Sequence, residues 1–173
     1  MSGGTETSGV SAVRVEAIDD SKRAAVRAFL IEHWGSPQMV YSQGVHHCDE
    51  LPGFVAYDGD ELIGLVTYAV QETSYEVVSL DSLREGHGIG TRLMEAVEKA
   101  AREAGVSCVR LITTNDNLNA LRFYQKRGYV LVKIYPNAVA KARRIKPQIP
   151  LIGSDGIPIR DEIELEKGIG EEE

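Results

Sequence analysis

At 173 residues the chain has room for one domain with a sizeable core and is short for two. Its 43% hydrophobic and 26% charged residues are ordinary for a globular protein, and a net charge of −7 argues against nucleic acid or an anionic membrane as the main partner. Cys48 and Cys108 make neither a disulfide framework nor a C-x-x-C metal spacing, which fits a reduced, cytoplasmic setting, and no apolar run is long enough to span a bilayer.

Met1 to Val10, rich in Ser, Gly and Thr, lacks the layout of a signal peptide, so residues 1–11 are expected to be a disordered tail. Val13 to Ile18 alternates apolar and polar residues as a short strand. Asp19 or Asp20 then caps a helix that carries Ala24, Ala25, Ala28, Phe29 and Leu30 to about His33. From Trp34 to Pro52 the pattern breaks, and this irregular connection with Trp34, Tyr41, His46 and His47 is expected to wall a binding site. Gly53 to Tyr57 and Glu61 to Gln71 flank an Asp-Gly turn, a strong hairpin signal.

A further strand follows from Tyr75 to Leu83 and runs into Arg84-Glu85-Gly86-His87-Gly88-Ile89-Gly90-Thr91. Next comes an amphipathic helix with Leu93, Met94, Val97, Ala100, Ala101 and Ala104 on one side. Val106 to Thr114 is a second strand, so the unit is a parallel βαβ with a right-handed crossover. Asn115 opens a helix carrying Tyr124, Tyr129 to Tyr135 is a strand, and Asn137 to Lys146 is a basic helix. Asp161 to Lys167 alternates as a last strand, giving one domain over residues 12–167 and an acidic tail over 168–173.

The glycine loop carries the chemistry. Gly86, Gly88 and Gly90 sit where a strand hands over to a helix, so backbone N–H groups and the helix dipole converge on one point suited to an anion. A Walker loop would need Gly-Lys-Ser/Thr, and a dinucleotide fingerprint would need G-x-G-x-x-G with an acidic ribose partner; neither is present. The run His46-His47-Cys48-Asp49 is a poor metal site, because contiguous ligands rarely share one geometry, and no metal is expected.

Glu85 to Met94 resembles the pyrophosphate loop of the GNAT superfamily of acyl-CoA-dependent N-acetyltransferases, whose pattern is Arg/Gln-x-x-Gly-x-Gly/Ala. Asn117-x-x-Ala120, Phe123-Tyr124 and Gly128-Tyr129 resemble the same family's second signature, and the element order agrees from Val13 to Tyr135. The resemblance implies an α/β fold with a mixed, mostly antiparallel central sheet flanked by helices and splayed at the acyl-CoA site. It also implies transfer of an acetyl group from acetyl-CoA to a primary amine by direct attack in a ternary complex. The rival is a non-catalytic acyl-CoA-binding or regulatory module.

By the same resemblance, the backbone of Leu80, Ser82 and Leu83 holds the pantetheine arm. Gly86, His87, Gly88, Ile89, Gly90 and Thr91 hold the pyrophosphate, and Asn117 both caps its helix and contacts the arm. Tyr124 is the acid for the leaving thiolate. Glu76 is the candidate base, with Asp81, one of His46 and His47, or no dedicated side chain as alternatives. Glu85 departs from the family's Arg or Gln, and Arg84 is the candidate to supply that charge. The acidic balance favours a cationic small-molecule or protein amine; Ile145 to Lys167 would cap its pocket or build a homodimer contact.

Overall fold

The computed structural model describes residues 13–170, so the expected tail of residues 1–11 lies outside it. The elements run β1 (Val13–Ala17), α1 (Arg23–Trp34), β2 (Gln38–Tyr41), β3 (Gly44–His47), β4 (Gly53–Asp58), β5 (Glu61–Val70) and β6 (Ser74–Ser82). They continue as α2 (Ile89–Ala104), β7 (Cys108–Thr114), α3 (Leu118–Lys126), β8 (Val130–Tyr135), α4 (Val139–Ile145) and β9 (Glu162–Gly168). Seven strands form one sheet in the order β1-β4-β5-β6-β7-β9-β8. Every neighbouring pair is antiparallel except β6–β7, where α2 makes the crossover a parallel pair requires.

Apolar side chains leave the sheet on both faces, so each face needs a helix. On one face α2 lays Leu93, Met94, Val97 and Ala101 over Val66, Val77, Val109 and Leu165. Leu93 and Val97 are fully buried, each contributing about 1.5–3 kcal/mol relative to an exposed side chain. Gly64 on β5 lets the first turn of α2 come close, since a Cβ there would stand 2.9 Å from the Ile89 side chain. On the other face α1 packs Val26, Phe29 and Leu30 against Val55, Leu65 and Val78.

The sheet opens in the middle. β6 and β7 pair only over Ser74–Val77 against Cys108–Leu111, although β6 continues to Ser82 and β7 to Thr114. Beyond Val77 the two strands have no mutual ladder, and β6 keeps partners only on its β5 side. This is the expected splay.

Three details depart from the sequence expectations. Trp34 to Pro52 is not irregular throughout, because β2 and β3 form a separate two-stranded hairpin inside it. Four-residue strands around a Ser42-Gln43 turn are too short to show a period, and that turn lacks the Asn-Gly or Asp-Gly signal. The chain also stays in the fold past Lys167: β9 ends at Gly168, Ile169 is buried, and its N–H bonds to the Ser107 carbonyl at 3.0 Å. Finally, β9 inserts between β7 and β8, a placement no local signal carries. Among the described residues no helix is long and apolar enough to cross a membrane.

Candidate active site

The site begins with an irregularity in β6. Thr67 of β5 faces Ser79, but the next residue, Tyr68, faces Val77, so Val78 has no partner across the ladder. An extra residue in one strand reverses the alternation of faces beyond it. Tyr75 and Val77 therefore share the α2 face with Leu80, whereas Val78 packs on the α1 face. Glu76 and Asp81, which a regular strand would send to opposite faces, both line one cavity of about 480 Å³.

That cavity fills the gap between β6 and β7 and is walled by Trp34, Gln38 to Tyr41, Leu111 to Thr114 and Glu162. Of the Trp34 to Pro52 segment, expected to wall a binding site, Trp34 and β2 line this cavity. The hairpin is fastened there by Glu162 of β9, which accepts from the Ser42 N–H at 2.8 Å and the Ser42 hydroxyl at 2.5 Å. Val139, Ala142, Lys146, Ile149 and Ile159 close another side, so the 145–167 segment caps the cavity. Arg143 holds that cap by donating to the carbonyls of Pro150 and Ile159, both at 2.7 Å.

The two carboxylates in the cavity differ sharply. Glu76 is 3% exposed, and both its oxygens are occupied. Its Oε1 accepts from Gln71 at 2.6 Å and from Arg110 at 2.7 Å, and its Oε2 accepts from the Tyr41 hydroxyl. Arg110 in turn pairs with Glu164 at 3.0 Å. Glu76 is thus an anchor tying β6 to β7 and to the hairpin, with three of the roughly four acceptor sites of its carboxylate in use. Asp81 accepts one hydrogen bond, from the Trp34 indole N–H to Oδ1 at 2.8 Å, while its Oδ2 is buried without a partner. Burial pushes the Asp81 carboxyl above the usual carboxylate range, against the Trp34 bond and the nearby His33.

A second cavity, about 600 Å³, runs along the glycine loop and α3. The two cavities share Leu80, Asn117, Ala120 and Tyr124, so they meet at Tyr124. Tyr124 is buried and its ring packs edge-on against Phe123 and Tyr129. Burial first, then the Asp81 charge, raises its pKa, which keeps the phenol protonated. Asn117 caps α3 by accepting from the Ala120 N–H at 3.1 Å.

In the loop, Gly86 and Gly88 adopt φ of 79° and 74°, left-handed values that L side chains rarely take. Gly88 accepts the first bond of α2 from Arg92, so the N–H groups of the preceding helix residues face the groove without intrahelical partners. Of the residues expected to hold the coenzyme beside this loop, Ser82, Arg84, Gly86, Gly88, Ile89, Gly90 and Thr91 line this groove. Two expected residues do not. Leu83 is exposed and gives its N–H to the Ile63 carbonyl at 2.8 Å, and His87 is exposed beside the loop.

Arg84, the candidate for the missing loop charge, lines the groove, but its guanidinium pairs with Asp58 and with Glu61 at 3.5 Å. A second cation in the groove, Arg127, was not singled out from the sequence. It donates to the Thr91 hydroxyl at 2.7 Å and the Phe123 carbonyl at 2.8 Å, and its guanidinium lies 3.6 Å from the Phe123 ring centroid. It has no carboxylate partner among the described residues and lines the groove beside exposed Glu85. No sequence spacing links Arg127 to the loop; only the folding of α3 over α2 does.

Of the two adjacent histidines, His46 approaches the cavity, with Nε2 2.6 Å from the Tyr41 hydroxyl, and His47 is exposed. Among the described residues no three His, Cys, Asp or Glu side chains are placed to hold a metal.

Comparison with known proteins agrees with this architecture. Residues 18–129 match the family described as Acetyltransferase (GNAT) family. The chain is 52% identical over 143 residues to the uncharacterized protein YxbD of Bacillus subtilis (strain 168), covering 82% of this chain and 90% of that one. Among solved structures it is similar to an IAA acetyltransferase from Bacillus cereus ATCC 14579, with TM-score 0.68, 22% identity, and coverage of 90% and 99% of the two chains. It is also similar to a GNAT family acetyltransferase from Elizabethkingia anophelis with acetyl-CoA bound, with TM-score 0.65, 18% identity, and coverage of 91% and 98%.

Proposed function

The chain belongs to the acetyltransferase (GNAT) family, and on that premise we propose that it transfers an acetyl group from acetyl-CoA to the nitrogen of a primary amine. The observation that carries this reading is the meeting of two cavities at Tyr124. One suits a phosphate-bearing arm; the other is a partly apolar chamber lined by Asp81, whose buried Oδ2 has no hydrogen-bond partner.

The residues present fit acetyl-CoA. Beyond Val77 the β6 edge facing β7 has no ladder partner, so its backbone can pair with an extended arm as an added strand would. The glycine loop and the start of α2 offer N–H groups and the positive end of a helix dipole to a pyrophosphate, and Arg127 adds a full charge. When bound, the thioester supplies an activated acyl carbon. The protein's own contributions are positioning, exclusion of water and proton management. Tyr124 holds the proton that the departing sulfur needs, and burial keeps it there at neutral pH. Amine attack in a ternary complex suits two connected cavities, one for each substrate.

The test compares thermal shifts with acetyl-CoA, free coenzyme A and ATP, then follows thiol release with a panel of primary amines. Stabilisation by both coenzyme forms beyond ATP, followed by amine-dependent thiol release, is the expected result. Tight coenzyme binding without turnover on any amine would favour the non-catalytic acyl-CoA-binding module instead.

A further inference from the structure

Among the described residues, Asp81 Oδ2 is the buried side-chain polar atom without a hydrogen-bond partner. A buried acceptor of this kind costs stability, and native structures retain few of them without a reason. Its surroundings supply one. Trp34, the last residue of α1, fixes Oδ1 through its indole N–H and so aims the other oxygen. Asp81 lines the chamber that joins the coenzyme groove at Tyr124, and its charge is felt by the Tyr124 phenol. Glu76, the other carboxylate on this strand, already accepts from Gln71, Arg110 and Tyr41, with a donor on each oxygen.

We infer that Asp81 is the group that receives the acceptor's ammonium proton, with Trp34 as its positioning residue. The inference rests on the acetyl-transfer reading and names the base that reading leaves open. The acceptor's ammonium hydrogen-bonds to Oδ2 and passes one proton to it, and Asp81 releases that proton to solvent. The neutral nitrogen then attacks the acyl carbon; the C–N bond forms and the C–S electron pair goes to sulfur. Sulfur takes the Tyr124 phenol proton, and the second proton lost from nitrogen restores the phenol through Asp81 or solvent. The net products are the amide, the free thiol and one proton.

A carboxyl raised by burial is a better match to an ammonium than an ordinary one. The groups that bear on its titration are Trp34 and His33 from α1, Tyr124 from α3 and Cys48 from the turn before β4. The Trp34 bond favours the carboxylate, so losing it moves the Asp81 pKa up.

The test uses the full chain as wild type, Asp81→Asn, Trp34→Phe and Glu76→Gln, with two probe amines. Propylamine is protonated at neutral pH; 2,2,2-trifluoroethylamine is already neutral. Asp81→Asn should keep the acetyl-CoA thermal shift, lose about 100-fold in kcat/KM for propylamine at pH 7, and lose less than about tenfold for the neutral amine. Trp34→Phe should move the acid limb of the propylamine profile to higher pH. Equal losses with both amines in Asp81→Asn, a loss within threefold, or an acid limb removed by Glu76→Gln instead would overturn the assignment. A wild type that releases no thiol with any amine would sink the acetyl-transfer reading and this inference with it. A working wild type with an indifferent Asp81→Asn would sink the inference alone.

Discussion

Glu76 and Asp81 lie on one strand and face one cavity only because Val78 is skipped in the ladder with β5. The first is held by three donors, Arg110 among them; the second keeps one oxygen unpaired. Their separate roles predict opposite consequences of substitution.

Arg110→Met should be strongly destabilising. It leaves the Glu76 carboxylate, 3% exposed, without its cation, and Glu164 loses the same partner. Removing one member of a buried pair costs about 3 kcal/mol or more. Urea unfolding should show the loss, and adding Glu76→Gln should recover part of it. A double variant no more stable than Arg110→Met would disprove the anchoring role of Glu76.

Asp81→Asn should instead stabilise the protein near neutral pH, by about 1 kcal/mol for relief of an unpaired buried carboxylate. The folded-state pKa of Asp81 is raised, so its contribution to stability is fully present below the unfolded value and is lost as pH rises through the folded value. The difference in melting temperature between Asp81→Asn and wild type should therefore widen from pH 4 to pH 7. A constant difference would show that the carboxyl does not titrate in the folded state over that range.

Tyr124→Phe removes the phenol at the junction of the two cavities while keeping the ring contacts with Phe123 and Tyr129. Transfer should fall by about 100-fold, and the acetyl-CoA thermal shift should persist. Full activity in this variant would remove Tyr124 from the reaction.

Arg127→Met should weaken acetyl-CoA binding about tenfold and reduce its sensitivity to salt, since a guanidinium without a carboxylate partner is lost from the groove. Arg84→Met should have a smaller effect, because Asp58 and Glu61 already consume that charge. Titration of acetyl-CoA by calorimetry at two ionic strengths separates them, and a reversed order would return the phosphate role to Arg84.

Gly88→Ala places a Cβ on a residue at φ 74°, at a cost of about 1 kcal/mol, without a collision, as nothing lies within 4 Å of that Cβ. Chemical denaturation should register that cost, and acetyl-CoA affinity should drop as the loop relaxes. Unchanged affinity would mean the loop conformation is not what holds the coenzyme.

Much of this was legible in the chain itself. Period-two and helical patterns located the strands and helices of the central sheet to within a few residues, because each amphipathic element carries its own burial requirement. The glycine loop was legible because a strand-to-helix turn open to an anion restricts residue type locally. So were the cap at Asn117 and the placement of Tyr124, both fixed by spacing along one helix. What only the tertiary structure decided depends on residues distant in sequence. The skipped Val78 is defined by a mismatch with Thr67 and Tyr68 on another strand, and it puts Asp81 on the same face as Glu76. The pinning of Glu76 by Arg110, the clamp from Trp34 to Asp81, the insertion of β9 and the arrival of Arg127 at the loop all arise the same way. Periodicity assigns a residue to a face; which oxygen on that face stays unpaired is settled by what the rest of the chain brings to it.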